Sequence, residues 1–257
     1  MELNILLCFL GVGVFTGLVG ALLGLGGGVV IVPFLVFAAC YKPQFAIGTS
    51  MLVVLMNSVS GAIGYMRQRL ACREAAIYFS LATVPGAFLG SYAAAYLQGR
   101  LFYGVFGIFF LGIALNMFRK AGKSGEENGV TAVPEHYNRK LGILCSLFVG
   151  FFASVLGVGG GVIHVPFMIY VLHFPVKVAI ATSTCILAVS AIAGTTSHVY
   201  LGHIIWVSGL VLGIGAAIGA QIGVRLAARM KSAFLMRGTG VLVALTGMKF
   251  LLNALGI

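Results

Sequence analysis

The chain has 257 residues, 60% of them hydrophobic and only 8% charged, with a mean hydropathy of +1.10. Soluble domains carry about a quarter charged residues, so the composition excludes a soluble fold and points to an all-α protein that crosses a membrane many times. The net charge of +11 lies mostly between apolar runs, where it orients a membrane protein rather than recruiting nucleic acid.

The first apolar run has no basic leader, since Glu2 is the only charge before Lys42, and no cleaved signal peptide is expected. Within it, residues 24–34 read GLGGGVVIVPF, and residues 157–167 repeat the pattern as GVGGGVIHVPF, at a constant offset of 133. Each glycine run interrupts a segment that would otherwise continue as a helix. Such a pair of breaks in two halves of a membrane chain is the sequence pointer to a transporter's binding site.

The repeat extends further. Ala46, Thr49, Ser50 and Gly61 match Ala179, Thr182, Ser183 and Gly194. The chain therefore reads as two halves, 1–118 and 141–257, joined by a polar linker, 119–140. Three spans per half are plain, at about 44–66, 75–96 and 101–118, then 178–200, 206–226 and 234–255. The segments 3–40 and 141–173 are each too long for one crossing and carry the glycine break inside.

Positive charge chooses between parallel and inverted halves. If each glycine segment turns back, one side of the membrane holds 13 of the 16 basic residues, and only Lys42, Arg100 and Lys249 lie on the other. A single crossing by each segment removes that bias. The expected architecture is therefore two inverted repeats, each a glycine-tipped broken helix or re-entrant hairpin plus three transmembrane helices, with the linker cytoplasmic. The second arms, with about 13 residues at about 1.5 Å each, fall short of a full crossing and put the tips near mid-membrane.

The expected ligand is an anion. A helix arm that starts after each glycine run has unpaired N–H groups and a positive dipole end, so Gly26, Gly27, Gly28, Gly159, Gly160 and Gly161 are candidate binding residues. Thr49, Ser50, Thr182 and Ser183, next to the tips, and Asn57 and Ser190 further along, could add hydrogen-bond donors. For any one hydroxyl the plain alternative is a bond to its own helix. The chain has no Asp, and its five Glu are terminal or in loops, which disfavours a carboxylate proton relay or cation site. His164, where the first half has Ile31, is a candidate for proton coupling; a neutral, hydrogen-bonded ring is the equal alternative. The GxxxG pairs Gly86/Gly90, Gly209/Gly213 and Gly215/Gly219 read as close helix packing. The five cysteines form no metal or disulfide pattern. No cofactor, metal or catalytic constellation is implied, so the chain is not read as an enzyme; the oligomeric state is open, a homodimer among the choices.

The duplicated G-x-G-G-G-x-x-x-x-P-F motif with its A-x-x-T-S sequel resembles the TauE/SafE sulfite exporter family of bacterial membrane proteins, over nearly the whole chain. The resemblance implies transport of sulfite or a small organosulfur anion, such as sulfoacetate, across the inner membrane. A thiosulfate-uptake relative would carry functional cysteines, and no cysteine here recurs at the repeat offset. A passive anion channel is the further alternative.

Overall fold

A computed structural model describes residues 3–93, 100–123, 137–156 and 160–255. Among the described residues every regular element is helical: α1 (Leu3–Leu23), α2 (Gly28–Pro33), α3 (Pro43–Arg67), α4 (Arg73–Ala93), α5 (Arg100–Lys123), α6 (Arg139–Leu156), α7 (Gly161–Tyr170), α8 (Val176–Tyr200), α9 (Trp206–Arg229) and α10 (Ser232–Leu255). α2 runs on as a wider π-helical turn, Phe34–Ala38.

Among the described residues five helices are long and apolar enough to cross a membrane: Asn4–Leu23, Pro43–Arg67, Val176–Tyr200, Trp206–Arg229 and Ser232–Leu255. Outward faces carry large apolar side chains such as Phe15, Phe37, Leu81 and Leu245, all exposed, as lipid contact requires. The chain is a multi-pass membrane protein. The first arm of the first glycine segment is a full-length helix, whereas its second arm, Gly28–Ala38, is short.

Glycines let the helices touch backbone to backbone. A Cβ on Gly13 or Gly17 of α1 would strike the carbonyls of Leu212 or Ala216 of α9, and one on Gly219 or Gly223 would strike those of Val14 or Leu18. The numbers rise together, so α1 and α9 run parallel. Gly86 and Gly90 of α4 press in the same way on Leu147 and Phe151 of α6, so α4 and α6 also run parallel. Gly209 packs on Leu52 and Gly64 on Val224, which aligns α3 with α9. Gly61 meets Thr184 while Gly194 meets Met51, which makes α3 and α8 antiparallel.

The two halves share their irregular backbone as well. Cys40 and His173 have φ of 57° and 56°, and Arg69 and Gly202 have φ of 55° and 68°; each pair is separated by the repeat offset of 133. Tyr41 N–H donates to Leu35 carbonyl as Phe174 N–H donates to Met168 carbonyl, both at 2.9 Å. Contacts exchange in the same way: α1 packs on α9 as α6 packs on α4, and α3 and α8 lie together at the centre, with α5 against α10.

Candidate functional site

The first glycine tip stands at the middle of the helical core. Gly24, Gly26 and Gly27 have φ of 71°, 74° and 83°, a left-handed backbone that costs other L-residues about 1–2 kcal/mol each. A Cβ on Gly26 would lie 3.1 Å from Val54 and 3.2 Å from Leu187, residues halfway along the 25-residue helices α3 and α8. One on Gly161, at the second tip, would run into the Gly24 carbonyl and come within 2.7 Å of Leu25 Cα. The two breaks thus meet in space.

At the first tip the N–H groups of Gly27, Gly28 and Val29 have no backbone acceptor among the described residues; the ladder resumes with Val30 and Ile31, which donate to Gly27 carbonyl at 3.0 and 3.2 Å. Helical backbone continues for eleven residues, Gly28–Ala38, so this end carries a helix's positive dipole. Two side chains flank it. Asn57 is 1% exposed, its Oδ1 has no partner, and its Nδ2 would lie 2.6 Å from a Cβ on Gly20 and 3.5 Å from one on Gly27. Thr16 is also 1% exposed, its Oγ1 has no partner, and its methyl would lie 2.8 Å from a Gly27 Cβ. An unsatisfied buried polar atom costs about 1–3 kcal/mol, and two beside three unpaired N–H groups mark a place where a polar ligand recovers that cost.

Thr16 carries no motif and is absent from the sequence candidates. Its signal lies in the repeat: Val149 stands at its place in the second half, so a hydroxyl appears on one side only of an otherwise apolar pair.

The remaining candidates fall into three groups. Thr49 Oγ1 accepts from Ile205 N–H at 3.0 Å, and Thr182 Oγ1 accepts from Cys72 N–H at 2.9 Å. These matched bonds satisfy N–H groups just ahead of α9 and α4, so each threonine holds the other half's fourth helix. Ser183 donates to the Gly24 carbonyl at 3.0 Å and supports the tip from behind; Ser50 is its buried counterpart. Ser190 turns back to Leu187 carbonyl at 3.3 Å.

The second tip is chemically different. Around Gly160 a Cβ would meet Val149, Ala153 and His164 Nδ1; Val149 stands in the place of Thr16, and Ser190 in that of Asn57. His164 is 1% exposed; its Nε2 lies 3.1 Å from Ser146 Oγ, and its Nδ1 has no partner. Gly159 and most of the linker 119–140 lie outside the described residues. A cleft of about 750 Å³ opens between α5, α6 and α7, but Ile108, Phe148, Phe152 and Phe167 make its lining apolar, unsuited to an anion. Among the described residues no group of three metal-ligating side chains occurs.

Known proteins resemble this chain over most of its length. The family described as Sulfite exporter TauE/SafE matches residues 9–250. A probable membrane transporter protein of Bacillus subtilis, YunE, is 33% identical over 223 residues, covering 79% of this chain and 82% of its own. A probable membrane transporter protein of Methanocaldococcus jannaschii is 27% identical, covering 73% of this chain and 70% of its own. The Escherichia coli probable membrane transporter YfcA is 26% identical, with 79% and 74% covered. No solved structure matches the chain. With the match running through both glycine tips and nearly end to end, this chain belongs to the TauE/SafE sulfite exporter family of membrane transporters.

Proposed function

We propose that this protein is a secondary transporter that exports a small sulfur-containing oxyanion, sulfite above all, and that the anion is held at the first glycine tip. The observation that carries the reading is the set of three unpaired N–H groups at Gly27, Gly28 and Val29, flanked by the buried Asn57 and Thr16. Backbone N–H groups and an amide bind an oxyanion without bringing a fixed charge into the membrane. The chain has no Asp, and Glu74, the Glu among the described residues, is exposed, so neither repels an anion there.

The two halves, 1–118 and 141–257, act as inverted repeats. In support, α1, α3 and α9 point one way and α6 and α4 run together as a second set. Thirteen of the sixteen basic residues then share one side of the membrane. Rocking of one set against the other would open the central site to each face in turn.

The test is counterflow of radiolabelled sulfite by the purified protein in liposomes, with sulfoacetate, thiosulfate and sulfate as competitors. Saturable exchange inhibited by unlabelled sulfite supports the reading. Uptake that never saturates points to a passive channel. No sulfite movement under any gradient, with exchange of a competitor instead, replaces the substrate.

A further inference from the structure

The same backbone turn ends α3 and α8, but the two halves fill it with different chemistry. In the first half Leu70 N–H donates to Tyr65 carbonyl at 3.3 Å; in the second His203 N–H donates to His198 carbonyl at 3.0 Å. Tyr65 and Leu70 belong to the apolar core, and Tyr65 hydroxyl donates to Ala21 carbonyl at 2.7 Å. Their counterparts at the offset of 133 are His198, His203 and Ser154. An ionisable pair replaces a packed aromatic and aliphatic pair.

His198 and Ser154 are both unsatisfied. His198 is 4% exposed and both its ring nitrogens lack a partner; Ser154 Oγ and Thr195 Oγ1 lack partners too. Thr195 and His198 are three residues apart, on one face of α8. The His198 and His203 rings lie 5.8 Å apart between centroids, tilted by 44°, a separation that a single bridging water spans. His203 is half-buried and stacks edge-on against Phe45 at 5.9 Å. The pair therefore leads from the surface to a buried imidazole. His198 also stands in the last turn of α8.

We propose that His203 and His198 form a proton path from the outer face into the second half, and that protons couple to transport through His198. This rests on the transporter reading above. His203 takes a proton from outer water and passes it through a bridging water to one nitrogen of His198; the imidazolium gives up a proton from its other nitrogen, on the side of the unpartnered Thr195 and Ser154, to bulk water when the halves open to the inner face. The path faces outward because α8 ends opposite the basic side, near the start of α3. The charged residues of α3 (Arg67), α4 (Arg73, Glu74), α6 (Arg139, Lys140) and α9 (Arg225, Arg229) all belong to the other ends of those helices. At the near end stand Lys42, exposed; Tyr41, bonded to Ser208 at 2.7 Å; Tyr92 on α4, 68% exposed; and Lys249 of α10, 5.7 Å over the Phe37 ring. Among the described residues no carboxylate stands there, which leaves the imidazole as the proton acceptor. His164 lacks such a route: its one polar partner, Ser146, is as buried as itself.

The experiment measures sulfite flux and proton flux together, with labelled sulfite and an entrapped pH dye, in liposomes holding the full chain. Expected is proton movement opposite to sulfite in the wild type, with the proton-to-sulfite ratio at least fivefold lower in His198→Gln and in His203→Gln. Sulfite flux with no proton movement, or a ratio unchanged in both variants, overturns the coupling while leaving the transporter. If no anion is moved at all, the transporter reading falls. The path is then judged by deuterium exchange at the His198 ring carbon in the purified protein, which should slow several-fold in His203→Gln; an unchanged rate overturns it. The part-exposed His203 keeps the test open should His198→Gln fail to fold.

Discussion

The hydroxyl of Ser183 on α8 donates to the carbonyl of Gly24 across 3.0 Å, so a side chain of the second half holds the tip of the first. Ser183→Ala leaves that buried carbonyl without its donor, at a cost of about 1–3 kcal/mol. The expected outcome is a Tm lower by several degrees, at about 2–4 °C per kcal/mol, together with weaker sulfite exchange. Thermal unfolding in detergent and counterflow in liposomes check the two halves of that statement.

Gly27 tolerates no side chain. Gly27→Ala adds a Cβ at 2.8 Å from Thr16 with φ at 83° and should cut sulfite exchange at least tenfold while the protein still inserts. Gly11 faces open space on α1, so Gly11→Ala should leave exchange intact and raise stability by about 0.5–1 kcal/mol. Equal loss in both variants would show general fragility of α1 rather than a site at its tip.

Asn57 is expected to separate charge from shape. Asn57→Asp keeps the size but puts a carboxylate beside the anion, so it should weaken sulfite binding more than Asn57→Ala, by tenfold or more. Isothermal titration with each variant decides this; binding in Asn57→Asp as tight as in the wild type would move the anion elsewhere.

Thr49→Val and Thr182→Val should act on stability first. Each removes the acceptor of a buried N–H, that of Ile205 or Cys72, at about 1–3 kcal/mol. Their Tm should fall further than that of Asn57→Ala, while their sulfite affinity should change less.

Cys40 and His173 occupy equivalent exposed positions in the two halves. In a background otherwise free of cysteine, Cys40 and a His173→Cys variant should react with an impermeant maleimide from opposite sides of the membrane. Labelling of both from one side would return the parallel arrangement of the halves.

Much of this was legible from the chain. The Gly26–Gly28 break could be read because glycine is the one residue whose name reports its backbone freedom. The spans could be read because lipid demands about twenty apolar residues in a row. The roles of Thr49 and Thr182 could not: their partners are backbone N–H groups in the opposite half, which leave no mark in the sequence. Thr16 was hidden because one hydroxyl in an apolar helix is ordinarily bonded to its own turn. Only its place beside Gly27 shows otherwise.

The parallel embrace of α1 with α9, and of α6 with α4, makes each half the completion of the other. Neither half supplies the partner for its own first helix. A half expressed alone would leave that helix's packing face bare, so the two halves stand or fall together.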